Sequence, residues 1–121
     1  MNKKVLIADD EDIVRRSLVR VCRGKNWDIS EAKNGEEALK IWLEFEPDLV
    51  YLDVLMPGLS GPQVLKELGD RRQSKVILIS AYSGEYDNQT IHSLGADLFI
   101  QKPFQDIFEV INKGEELLNG L

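Results

Sequence analysis

Leu49-Val50-Tyr51-Leu52-Asp53-Val54-Leu55-Met56-Pro57-Gly58 opens with four apolar residues, reaches a carboxylate and breaks at a Pro-Gly turn. An unbroken apolar run suits a strand covered on both faces, the pattern of a parallel sheet. Open α/β sheets build their sites at the C-terminal tips of such strands. Asp53 is therefore a candidate phosphoryl acceptor, and the flanking chain reads as the apparatus that loads it and reports its state.

Outward from strand 48–53 the pattern recurs. Residues 5–8 and 76–79 are equally continuous apolar runs, 98–100 is a short fifth strand, and 27–32 is a more polar one with Trp27, Ile29 and Glu31 on one face. Segments of helical spacing lie between them. In the first, Val14, Leu18, Val21 and Cys22 form the apolar stripe, and Arg15, Arg16 and Arg20 point elsewhere. Its start carries Asp9-Asp10-Glu11-Asp12, where the helix dipole favours acids, and Gly24 closes it. In the second, Asn34 reads as an N-cap with Glu37 completing a capping box, ahead of a buried stripe of Ala38, Leu39, Trp42 and Leu43. Pro62 suits the first turn of the third helix, whose apolar residues are Val64, Leu65 and Leu68, and 69–74 is a polar connector. A short fourth helix, 88–94, has Ile91 and Leu94 as core positions and stops at Gly95; the fifth carries Ile107, Val110, Ile111, Gly114 and Leu118 on one stripe. Five alternations of strand and helix predict an α/β fold, a parallel sheet covered on both faces.

A length of 121 residues gives room for one domain, 1–121. The net charge is −6, and no Lys/Arg block gathers on a helix face, which argues against binding nucleic acid or an anionic membrane. Cys22 is the only cysteine, so no intrachain disulfide or cysteine-based metal site is expected, consistent with a reducing cytosol and a cytoplasmic protein. The apolar run after Lys4 is too short for a signal peptide and meets acids at once; no stretch approaches the ~20 apolar residues of a membrane span. Met1 directly before the first strand is expected to be the native N-terminus.

In a parallel sheet all strand C-termini share one edge. That brings Asp9 and Asp10, Asp53, Ser80 and Lys102 into one neighbourhood from far apart in the chain. Converging carboxylates repel one another, and a hard divalent cation relieves the repulsion; Mg²⁺ suits best, with carboxylates, a backbone carbonyl, waters and a phosphoryl oxygen as ligands. With the Lys102 ammonium it would spread charge off a phosphoryl group attacked in line by Asp53. The Ser80 hydroxyl would hydrogen-bond a phosphoryl oxygen. Each residue also has an ordinary reading: Asp9 and Asp10 as capping acids, Asp53 as a turn-former before Pro-Gly, Ser80 as structural, Lys102 as a solvated lysine. Their shared place at successive strand ends weighs against those readings. His92, the lone histidine, reads as a surface residue, and Cys22 as core. No nucleophile elbow and no P-loop is present.

Together these residues resemble the receiver domain of two-component response regulators. The marks are Asp9-Asp10, Asp53 with Met56-Pro57-Gly58 and Gly61 behind it, Ser80-Ala81, and Lys102-Pro103-Phe104, and the match covers essentially the whole chain. The resemblance implies a flavodoxin-like five-stranded sheet in the order 2-1-3-4-5 with five helices. It implies that Asp53 takes a phosphoryl group from the phosphohistidine of a sensor kinase or histidine phosphotransfer protein. Asp10, Asp53 and the Leu55 backbone carbonyl would hold Mg²⁺ directly, and Asp9 partly through water. Ser80 and Ala81 would meet the phosphoryl group, and Phe99 fills the aromatic switch position. Ser80 moving inward would let Phe99 turn and remodel the face of helix four, strand five and helix five for a partner, a downstream output protein or domain, or a second copy of the chain in a phosphorylation-dependent homodimer. Pro57, Gly58, Gly61 and Pro103 are structural, and the Lys102-Pro103 bond is expected to be cis. Such a domain catalyses its own modification and is not an enzyme on outside substrates.

Two alternatives use a related site or fold. An aspartyl-phosphate-type hydrolase typically carries a second Asp two residues after its nucleophile, where this chain has Leu55. A flavin-binding module would place a Ser/Thr/Gly-rich phosphate loop after the first strand, where Asp9-Asp10-Glu11-Asp12 would repel a phosphate.

Leu55 and Tyr82, two residues beyond Asp53 and Ser80, are bulky at positions where the family varies beside the phosphoryl group. They are expected to hinder the attacking water. Leu55→Asn with Tyr82→Glu should shorten the lifetime of the phosphorylated form, followed as phosphate release; an unchanged lifetime refutes the idea.

Overall fold

The computed structural model describes residues 2–81 and 86–120. Tyr82 lies outside these described residues. The elements are β1 (Lys3–Ala8), α1 (Asp12–Cys22), β2 (Trp27–Ala32), α2 (Gly35–Phe45), β3 (Leu49–Asp53), α3 (Gly61–Leu68), β4 (Lys75–Ser80), α4 (Asn88–Leu94), β5 (Leu98–Gln101) and α5 (Ile107–Leu118). All strand pairs are parallel, in the order β2-β1-β3-β4-β5. This is the doubly wound, flavodoxin-like arrangement, with the switch in strand order beside β1 and β3.

Period-two alternation splits each central strand between two cores. Leu6, Ala8, Val50, Leu52, Val76 and Leu78 face α2, α3 and α4 through Ala38, Trp42, Val64, Leu65, Leu68 and Ile91. Val5, Ile7, Leu49, Tyr51, Ile77 and Ile79 face α1 and α5 through Leu18, Val19, Cys22, Val110 and Ile111. Every residue of β3 is buried, which is why its sequence reads as an unbroken apolar run. Burying each such aliphatic side chain contributes roughly 1.5–3 kcal/mol.

Several local expectations are corrected. Arg15 is not on the outer face of α1 but buried, and Val19 takes the core place expected of Val21, which is only half-buried. Leu43 is exposed, while Ile41 and Leu39 pack at the core margin. Asn34 caps α2 by accepting the Glu37 N–H at 2.8 Å, but the Glu37 carboxylate takes the Lys33 N–H and not that of Asn34. The reciprocal capping box occurs on α3, between Ser60 and Gln63. The polar connector contains a turn of 3-10 helix, Gly69–Arg71. Arg16, Arg20, Arg23 and Lys33 line a trough beside β2 together with Glu31 and Glu37, so its charge is mixed.

Gly114 lets α5 lie directly on β3. A Cβ there would collide with the Tyr51 hydroxyl, which donates to the Val110 carbonyl at 3.0 Å. Burial pushes the Tyr51 phenol above its ordinary range, so it stays a neutral donor. Gly114→Ala should therefore destabilise the protein by about 1–3 kcal/mol in urea unfolding, and Tyr51→Phe in the same background should recover part of the loss.

Candidate functional site

Four strand tips deliver the site. Asp9 follows β1, Asp53 ends β3, Ser80 ends β4, and Lys102 follows β5. Backbone hydrogen bonds tie the tips to neighbouring chain: Asp9 N–H to Ala32 at 3.0 Å, Val54 N–H to Ile79 at 2.9 Å, and Lys102 N–H to Ser80 at 2.8 Å. Behind Asp53 the chain turns through Gly58, at φ +75°, and returns. There Gly61 donates to the Val54 carbonyl at 2.9 Å and approaches the Asp53 carbonyl so closely that no Cβ would fit. Pro57 accepts from Gly35 at 3.4 Å, which joins this loop to the start of α2. The Lys102-Pro103 bond is cis.

The sequence-derived residues converge. Carboxylate oxygens of Asp9, Asp10 and Asp53 lie within 4.8 Å of one another. Asp9 and Asp53 are buried, and Asp10 is exposed at the rim. Lys102, itself buried, places its ammonium 2.9 Å from Asp9 Oδ2 and 3.4 Å from Asp53 Oδ2. Asp9 Oδ2 is fully buried, and the Lys102 ammonium is the cation it faces. Its partner Oδ1 accepts the Glu11 N–H at 2.9 Å, which fixes the carboxylate.

These surroundings set the proton affinities. Burial, then the charge of Asp9, raise the Asp53 carboxyl to about 8, against the pull of Lys102. Burial pushes the Lys102 ammonium toward neutrality, but Glu11, Asp9 and Asp53 outweigh it and hold the lysine above its ordinary value. A divalent cation fits this donor set. One oxygen from each of three acids lies within 4.8 Å of the others, two of these acids are buried, and a single lysine faces them. A flavin phosphate would meet the same carboxylates, and the position a hydrolase fills with a second Asp carries Leu55, an exposed side chain on the rim.

Two contributors were missed in the sequence. Glu11, read only as one of four acids at a helix start, reaches Lys102 Nζ at 2.7 Å. Arg15 donates to the Asp9 backbone carbonyl at 3.0 Å and pairs with Asp12 and Glu31 at 2.7 and 3.1 Å, bracing the acidic loop from beneath. The hydrogen bond from Arg15, and then its charge, hold the Asp12 carboxyl below its ordinary value. An arginine three residues after an acid on a helix is the one signal that could have flagged it.

Ser80 and Phe99 sit on the same face of the sheet, because Ser80 is two residues past Leu78 and Phe99 pairs across from Leu78. Ser80 is buried, and Ala81 is exposed beyond it. Phe99 is half-buried and stacks on Tyr86, with ring centroids 5.4 Å apart.

Comparison with known proteins agrees with this arrangement. The family model described as the response regulator receiver domain matches residues 5–112. The alkaline phosphatase synthesis transcriptional regulatory protein PhoP of Bacillus subtilis (strain 168) is 39% identical over 86% of this chain and 44% of its own length. The transcriptional regulatory protein ResD of the same organism is 36% identical over 84% of this chain and 42% of its own. The chain thus spans less than half the length of these curated relatives. A solved receiver domain, Francisella response regulator 1452, superposes with a TM-score of 0.89 at 29% identity, covering 98% of both chains.

The raised Asp53 pKa has a stability consequence. The folded protein holds that proton more tightly than the unfolded chain does, so this contribution is full below the ordinary carboxylate value of 3.8 and is lost as pH climbs toward 8. In chelator, Asp53→Asn should gain on the wild type between pH 5 and pH 8 by more than about 1 kcal/mol, since each unit of pKa difference corresponds to ~1.4 kcal/mol. Urea unfolding at the two pH values measures it, and added Mg²⁺ should narrow the gap by stabilising the wild type.

Proposed function

The chain belongs to the response regulator receiver domain family, and on that premise we propose that it is a phospho-accepting switch in which Asp53 takes a phosphoryl group from a phosphohistidine. The observation that carries this reading is the convergence of Asp9, Asp10, Asp53 and Lys102 at one sheet edge.

The phosphodonor is a sensor histidine kinase or a histidine phosphotransfer protein. An Asp53 carboxylate oxygen attacks phosphorus in line, the phosphorus–nitrogen bond breaks with its electron pair moving to the imidazole, and that nitrogen takes a proton as it leaves. Asp53 must shed its own proton first, which Lys102 favours. Asp10, Asp53 and the Leu55 carbonyl would hold Mg²⁺, with Asp9 beside it; the ion would neutralise charge on the phosphoryl oxygens. The buried Lys102 ammonium is positioned to take up the charge of one phosphoryl oxygen. Ser80 would donate its hydroxyl to another, with Ala81 beside it.

The readout we propose runs through Ser80 and Phe99. Movement of Ser80 toward the phosphoryl group would favour a second packing in which Phe99 leaves its stack on Tyr86. That remodels the α4, β5 and α5 face for a downstream partner or a second copy of the chain. A shift of this kind needs only a few kcal/mol of differential stabilisation. Residues 1–121 act as a single receiver domain in this reading. A cytoplasmic place belongs to this reading, as the single cysteine Cys22, a buried free thiol, suits a reducing compartment.

Intact mass after incubation with acetyl phosphate tests the reading. The wild type should gain one phosphoryl group only with Mg²⁺, and Asp53→Asn should gain none. Mg²⁺ binding by a folded wild type that takes up no phosphoryl group would overturn it.

A further inference from the structure

Lys102 has three N–H donors and meets three carboxylates. Glu11 Oε1 is nearest at 2.7 Å, Asp9 Oδ2 follows at 2.9 Å, and Asp53 Oδ2 is farthest at 3.4 Å. The ammonium is thus held closest by the acid that the chemistry does not require. The three differ in what they give up on leaving. The side chains of Asp9 and Asp53 are 0% and 5% exposed, and that of Glu11 is 60% exposed. A Glu11 carboxylate that lets go of Lys102 is solvated at once, whereas the other two have no water to turn to.

The Glu11 backbone stays put during such a change. Its N–H is held by Asp9 Oδ1 at 2.9 Å, and its carbonyl accepts from Arg15 at 2.9 Å as the first bond of α1. Only the side chain is free to swing. Its neighbour Asp12 is engaged by Arg15, so Glu11 is the member of the acidic loop beyond the metal-type cluster that is aimed at the lysine.

Building on the phosphoacceptor reading above, we propose that Glu11 is a positioning residue: it parks the Lys102 ammonium while Asp53 is unmodified and is displaced when a phosphoryl oxygen takes its place on Nζ. An anion entering the site must then displace an anion. Glu11 accordingly slows loading of Asp53 and retakes Lys102 when the phosphoryl group is lost.

The test measures affinity and rate separately. Wild type, Glu11→Gln and Glu11→Ser are titrated with the beryllium trifluoride anion in Mg²⁺ by calorimetry, and their phosphorylation by acetyl phosphate is followed by intact mass. Ser is a favoured N-cap, so the second variant keeps α1 even if the first disturbs it. Both variants should bind the anion about threefold more tightly than wild type at low salt, the scale of one exposed charge interaction, and load faster by a similar factor. The difference should vanish near 1 M salt, where the screening length is ~3 Å. A purely structural Glu11 would not produce a salt-dependent gain in anion affinity. Equal affinity at every salt concentration, or weaker binding by the variants, overturns the inference and leaves the phosphoacceptor reading intact. A folded wild type that neither binds the anion nor takes up a phosphoryl group overturns that reading, and this inference with it.

Discussion

A buried ammonium among carboxylates holds the functional edge of this molecule together. Lys102 arrives after β5, Asp53 at the end of β3 and Asp9 after β1, so one side chain crosses the C-terminal edge of the sheet. The acids outnumber the cation. Buried in this way, the cluster leaves Asp53 short of positive charge and inclined to keep its proton. A site with that deficit is suited to ligands that bring positive charge of their own or that can engage the lysine.

The sheet makes the cluster possible by being dry. Tyr51, Leu52 and Asp53 are consecutive and all buried, with the first two facing opposite cores. A carboxylate at the end of such a strand has no route to bulk water through its own strand, so its environment is whatever the neighbouring tips supply. The α1 side adds a second layer of control: Arg15 grips the Asp9 carbonyl, Asp12 and Glu31 together, which orients the loop that carries Asp9, Asp10 and Glu11.

Most of this was legible in the residues because the relevant signals are local. Continuous apolar runs mark strands covered on both sides, and the Pro-Gly turn after Asp53 marks the strand's end. Where sequence and structure part, the physical source is shared. Polarity alone puts Arg15 outside and Leu43 inside, but burial depends on what lies opposite: Arg15 is buried because Asp12, Glu31 and a backbone carbonyl satisfy it, and Leu43 is exposed because Trp42 and Ala38 already fill the sheet-facing side of α2. Glu37 likewise accepts the Lys33 N–H in place of that of Asn34.

The sequence by itself determined the alternation of strands and helices, the parallel sheet, and the placing of Asp9, Asp10, Asp53, Ser80 and Lys102 at strand ends. Those properties follow from periodicity and from the chain geometry of a β-α-β crossover, which few residues suffice to specify. Only the tertiary structure decided which carboxylate holds the lysine, how tightly, and which could let go. Glu11 and Lys102 are 91 positions apart, and their 2.7 Å contact exists only because β1 and β5 end on the same edge of one sheet. Pairing of this kind depends on distance and dielectric in the folded state, and nothing in the order of the residues encodes either.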